Sequence, residues 1–98
     1  MTYSLRFRPE VAQDLRGARD WYESRVAGLG TEFMAEFWAA TDRLIERPLS
    51  FAASSSGLRT CRLRRFSYLI HFRLQGDEIL VIAVMNAARD ASAFDHRG

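Results

Sequence analysis

The chain has 98 residues, 48% of them hydrophobic and 12% aromatic, with a formal net charge of +2. That is enough apolar material for one packed domain spanning residues 1–98, and it excludes a disordered chain. No apolar run approaches the ~20 residues that span a bilayer, and Cys61 stands alone, which excludes an intramolecular disulfide. The first residues, MTYSLRFRPE, hold no apolar signal core, so the sequence is read as that of a cytoplasmic protein with no membrane partner. All fourteen basic residues are arginine. Five of them fall between Gly57 and Arg73 with no acid among them, so positive charge collects in the second half.

Tyr3 to Arg8 alternates apolar and polar residues and reads as a strand. Pro9 suits the first turn of a helix. From Glu10 the period changes: Val11, Leu15, Ala18, Tyr22 and Val26 form one helical face. Arg16 with Asp20, and Arg19 with Glu23, are spaced as ion pairs on the wet side. Gly28-Leu29-Gly30 then reads as a break, with Thr31 as the cap of a second helix that runs to about Arg47. Phe33, Phe37, Ala40 and Leu44 make one apolar stripe, and Met34, Trp38, Thr41 and Ile45 the next. Trp21 and Trp38 read as core or hairpin contacts. The short link predicts an antiparallel helical hairpin.

Residues 48–57, PLSFAASSSG, read as a flexible connector. Three strands are predicted after it: Leu58 to Leu63, Phe66 to Leu74, and Glu78 to Asn86, the last two joined by a Gln75-Gly76-Asp77 turn. The last strand is apolar throughout, as a central strand covered on both faces would be. Residues 87–98 read as a polar tail. The order β-α-α-β-β-β predicts an α+β domain, with the hairpin on one face of a mainly antiparallel sheet. A register that places Leu63 opposite Phe66 would set Cys61 against Tyr68 and Arg62 against Ser67. Cys61, Leu63, Phe66, Tyr68, Ile70 and Phe72 would then face the helices. Thr60, Arg62, Ser67, Leu69, His71 and Arg73 would face away. Arginines and aromatics would thus divide between two faces, whereas a platform for stacked bases needs both together.

Recognised chemistry is sparse. No CxxC, HExxH, P-loop or GxGxxG occurs, and His71 and His96 are far apart, so neither a metal nor a cofactor is expected. Cys61 reads as core packing and His71 as a half-exposed strand residue.

Trp21-Tyr22-Glu23, Gly28-Leu29-Gly30, Pro48, Arg65-Phe66-Ser67-Tyr68 and Arg89-Asp90, in this order and spacing, resemble the RelE/ParE superfamily of type II toxins, often labelled plasmid stabilization proteins. The resemblance spans nearly the whole chain and implies the same fold. It also implies a small cytoplasmic toxin neutralised by a cognate antitoxin, with operator DNA bound only through that antitoxin. RelE-like members cleave mRNA in the ribosome. Carried over, their arginine after the last strand matches Arg89, their strand arginine falls at Leu69, and their tail tyrosine falls near Phe94 or Asp95. Their lysines have no counterpart. ParE-like members inhibit DNA gyrase by binding, and the FSYLIHFR core with the WYE helix is closer to that branch. The leading expectation is therefore a ParE-like gyrase inhibitor with no assigned catalytic residue. The alternatives are an mRNA endonuclease using His71, Arg73 and Arg89, and a non-toxic interaction module. Arg62, His71, Arg73, Asn86 and Arg89 are the candidates for contacting a target or phosphate.

Overall fold

The computed structural model describes residues 2–88 and 97. In chain order it contains β1 (Ser4–Phe7), α1 (Glu10–Arg25), α2 (Leu29–Glu46), a 3-10 turn (Pro48–Ser50), β2 (Arg59–Arg62), β3 (Tyr68–Gln75) and β4 (Glu78–Asn86). One sheet holds all four strands in the order β1-β4-β3-β2. The expected α+β architecture is present, but the sheet is mixed. β1 runs parallel to β4, while the β3–β4 and β2–β3 pairs are antiparallel. The apolar β4 is central, as its composition requires.

The helical hairpin packs on one face through a core of Val11, Ala18, Phe33, Phe37, Ala40 and Leu44 against strand residues that include Cys61, Ile70, Phe72, Ile79, Val81 and Val84. Each large side chain buried here contributes about 1.5–3 kcal/mol. The first predicted stripe of α2 is fully buried; the second is only partly so, because Trp38 is half exposed. Trp21 is also half exposed, and Val26 lies outside α1 as an exposed capping residue. Both were expected in contact or on the buried face. α1 ends at Arg25, one residue before its pattern does, and the extended backbone of Val26 turns its side chain out to solvent.

The hairpin turn differs from expectation in an informative way. α2 starts at Leu29, so Gly30 is inside it and Thr31 is not its cap. Gly28 is the capping residue, with a left-handed φ of 88° that favours glycine. The cap itself comes from the neighbouring helix. The Glu23 carboxylate accepts the main-chain N–H groups of Gly28 (2.8 Å) and Gly30 (2.9 Å). These bonds, Gly28 first, hold its pKa below the usual glutamate value. Glu23 is therefore not the partner of Arg19, which pairs with Asp20 at 3.1 Å. Gly30 is where the helices touch: a Cβ there would stand 2.7 Å from the Arg19 carbonyl oxygen.

The strands keep the predicted faces but not the predicted register. Cys61 lies opposite Ile70 and Arg62 opposite Leu69, two residues further along β3 than expected. A shift of two leaves every side chain on its face. The link is longer than a two-residue turn because Leu63 N–H bonds to the Tyr68 carbonyl (3.0 Å), and Arg65 N–H is drawn to the Glu36 carboxylate of α2 (2.9 Å). The connector is also more ordered than its composition suggests. It holds the 3-10 turn, a bridge from Ala53 to Arg59, and Phe51 packed edge-on to Phe72 at 5.8 Å.

β4 carries a bulge. His71 pairs with Ala83 and Phe72 with Val81, leaving Ile82 as the extra residue. Ile79, Val81 and Val84 therefore face the helices, while Leu80, Ile82, Ala83 and Met85 form a second buried cluster on the other face, with Leu58 packed beside it. Past Val81 the edge of β4 has no β1 partner. Asp14 of α1 substitutes for one: its carboxylate accepts Val84 N–H (3.0 Å) and forms a two-pronged ion pair with Arg97 (2.7 and 3.2 Å).

Candidate functional site

The sequence placed three of its candidates, Arg62, His71 and Arg73, on the strand face turned away from the helices. All three are there, but two are already engaged. Arg62 is exposed and lies opposite Leu69. His71 is buried, 5% exposed, and its Nδ1 is hydrogen-bonded with the Thr60 hydroxyl at 3.1 Å. Burial pushes its pKa down and favours the neutral ring. The half-exposed histidine expected from the sequence is thus a core residue of the second cluster's side. Arg73 is half-buried and donates to the Ser56 carbonyl at 2.6 Å, bracing the turn that leads into β2.

Asn86 does not join them. It pairs with Tyr68 across β3–β4, and Tyr68 packs against the helix-side core. The bulge re-phases β4, so Asn86 lies at the mouth of a groove beside α1 that includes Gly17, Ala18 and Tyr68. Its carboxamide oxygen accepts Ala88 N–H at 2.9 Å. Arg89, together with Phe94, Asp95 and His96, lies outside the described residues.

Aromatic residues of Trp21-Tyr22-Glu23 and Arg65-Phe66-Ser67-Tyr68 meet Phe33 in one cluster. Tyr22 of α1 stacks on Phe33 of α2 (5.4 Å) and meets Phe66 edge-on (4.7 Å), while Phe33 meets Tyr68 at 5.3 Å. Such pairs add about 0.5–1.5 kcal/mol each beyond area burial. Burial, and then the Tyr68 phenol nearby, raise the pKa of Tyr22; a main-chain bond from Ser67 offsets part of this. WYE and RFSY are therefore two halves of one packing unit. Cys61 is fully buried, and burial pushes its thiol up despite Arg43 and Arg64 nearby, as suits core packing rather than nucleophilic attack.

The surface that sequence reading missed is apolar. Phe7 of β1, Arg8, Pro9, and Val11, Ala12 and Leu15 of α1 line a mostly apolar groove of about 270 Å³ closed by Trp38 of α2. Trp38 meets Phe7 edge-on at 6.1 Å and Phe37 at 5.0 Å, which fixes an indole that remains half exposed. The signal in the sequence was the second stripe of α2, which is wider than one packed face needs. A rigid aromatic wall over an apolar floor suits an apolar side chain of a partner. No helix among the described residues is long and apolar enough to cross a membrane.

Comparison with known proteins agrees with this architecture. A solved structure titled "Chromosomal ParDE TA system from P. aeruginosa" superposes with a TM-score of 0.73 at 24% identity, over 86% of this chain and 95% of that one, which shows a shared fold. No curated protein matches the chain. The family described as ParE toxin of type II toxin-antitoxin system, parDE, matches residues 5–91. With that match across most of its length, the chain belongs to the ParE toxin family of type II toxin–antitoxin systems.

Proposed function

We propose that this chain is a toxin that acts by binding a protein target, DNA gyrase, and that a cognate antitoxin neutralises it. The observation that carries the reading is the state of the outer strand face. In-line cleavage of RNA by a ribose 2′-OH needs a base, an acid for the leaving group and a cation at the transition state. His71, the base such a reaction would use here, is 5% exposed and bonded to Thr60, and the Arg73 guanidinium is held by Ser56. Leu69 precedes them by two and four residues on the same strand and lies opposite Arg62. Residues committed to holding the fold are poor candidates for chemistry on a large substrate.

The apolar groove between α1, β1 and Trp38 supports the antitoxin half of the reading. It would take an amphipathic segment of the antitoxin, which in turn would carry any contact with operator DNA. A gyrase target implies a cytoplasmic site of action.

Purified chain added to a gyrase supercoiling reaction tests the target. Inhibition that the co-expressed antitoxin relieves is expected. Full gyrase activity at a large excess of the chain would refute the reading. Loss of mRNA integrity on induction, abolished by His71→Ala, would replace it with ribosome-dependent mRNA cleavage. Induction without growth arrest would replace it with a non-toxic interaction module.

A further inference from the structure

α2 has a second open flank, away from the Trp38 groove. Glu36, Ala39 and Arg43 of α2 line a groove of about 230 Å³ with Arg64, which follows β2. Arg43 also enters a groove of about 370 Å³ with Glu46, Arg47, Ser50 and Phe51. The two share Arg43, and so form one trough from Glu36 to Arg47 along the α2–β2 side of the molecule.

The charges in this trough are not balanced. Both oxygens of Glu36 are occupied by Arg65 N–H, at 2.9 and 3.2 Å, and Glu46 lies 4.0 Å from Arg47. Among the described residues neither Arg43 nor Arg64 forms an ion pair. Both line the groove of about 230 Å³, so two guanidinium groups stand together where β2 ends.

β2 is an edge strand of the sheet; the connector bridges it at Arg59 through Ala53, which leaves the end at Arg62 open. Leu63 N–H bonds to the Tyr68 carbonyl on β3. Main-chain groups alternate in direction along an antiparallel strand, so those of Arg62 point away from β3. An edge of this kind is a template for one more strand.

We propose that the α2–β2 trough is a docking site for an extended, acidic peptide segment of a partner protein. The segment's main chain adds to the edge of β2 at Arg62. Its carboxylates meet Arg43 and Arg64, and an apolar residue rests against Phe51. A nucleic acid fits less well. Duplex phosphates would be driven onto Glu36 and Glu46 as well as the arginines, and the aromatic ring in the trough, Phe51, is packed edge-on to Phe72 rather than offered for base stacking. An alternating peptide places its acids on one side only and can avoid the two glutamates.

The test uses the intact chain and a fluorescein-labelled peptide of alternating glutamate and valine. Controls are the same peptide with lysine for glutamate, and a labelled DNA duplex of similar length. Anisotropy should show binding of the acidic peptide alone, weakened about tenfold or more by Arg43→Glu with Arg64→Glu. Arg16→Glu with Arg19→Glu, a matched charge reversal on α1, should leave it unchanged. Amide shifts on peptide addition should fall at β2 around Arg62, and circular dichroism confirms that the variants are folded. Binding insensitive to the Arg43 and Arg64 reversals overturns the proposal. So does tighter binding of the duplex than of the acidic peptide, which would make the trough a nucleic-acid site. These outcomes do not depend on the gyrase assay, since they concern a different face and a different partner.

Discussion

Gly30 offers the cleanest test of how the two helices are fixed. It sits in the first turn of α2 without a left-handed φ, so alanine there brings no backbone strain. Its Cβ would instead stand 2.7 Å from the Arg19 carbonyl oxygen and 3.0 Å from both Arg19 Cγ and a Glu23 carboxylate oxygen. The nearest of these is main chain of α1 and cannot rotate away. Relief requires the helices to separate at this end, which loosens the Tyr22–Phe33 stack and lengthens the Glu23 bond to Gly30. Overpacking of this kind costs about 1–3 kcal/mol. The helix propensity gained over glycine returns about 0.5–1 kcal/mol. A net loss of about 1–2 kcal/mol follows, which lowers Tm by about 4–16 °C in a domain of this size. Gly17→Ala is the matched control, because nothing lies within 4 Å of its Cβ position; it should raise stability by about 0.5–1 kcal/mol. Urea unfolding of the two variants measures both. A Gly30→Ala protein as stable as the Gly17→Ala protein would refute the close-approach argument.

Other expectations concern charge and the grooves. Asp14→Ala should cost about 3 kcal/mol, because it strands the Arg97 guanidinium and leaves Val84 N–H unsatisfied; an unfolding midpoint equal to wild type would show that the pair carries no stability. Glu23 has a lowered folded pKa, so its cap stabilises above the ordinary glutamate pKa and is lost as pH falls through the lower folded value. Glu23→Gln should flatten that acid limb, and unchanged acid unfolding would contradict the cap. His71 also has a lowered folded pKa, so the unfolded chain binds the proton first, and stability should decline as pH drops below about 6.5. Replacing His71 with Gln should remove that decline in a pH series of thermal melts, and its persistence would place the titrating group elsewhere. Trp38→Ala should weaken a purified antitoxin complex by about 2 kcal/mol, some ~30-fold in Kd, while the free chain stays folded; calorimetry showing unaltered affinity would remove the groove from the interface.

Much of this architecture was readable in the sequence because period and composition acted together. The stripe Phe33, Phe37, Ala40, Leu44 and the apolar β4 each have one physical solution, and both occur. The sequence could not supply contacts between distant segments. Glu23 looked like the i+4 partner of Arg19 because local spacing is all that a sequence displays, whereas two main-chain N–H groups across the hairpin bind it more strongly. The bulge at Ile82 hid the face on which Asn86 lies, since a fully apolar strand gives no alternation from which a slip of phase could be noticed. His71 was read as half exposed by its type, and its burial depends on neighbours in β4. Of the proposed site, the outer face was legible and its occupancy was not. The Trp38 groove needs Phe7 and α1 to be brought together, and no spacing rule reaches across those segments.

The parallel pairing of β1 with β4 has a consequence for how the protein is made. Ser4 pairs with Glu78 and Phe7 with Val81, so one of the earliest strands to be synthesised joins the last strand of the sheet. Contacts this far apart in the chain carry a loop-closure cost before they return any stability, and they form late. At ~5–20 residues per second, a nascent chain spends seconds with β1 unpaired. Phe7, which β4 holds in place beside Trp38, has no fixed position during that time. The groove that a neutralising partner would recognise is thus absent from a nascent chain that still lacks β4. Recognition of the whole fold, rather than of a segment, is built into the order in which the strands are synthesised.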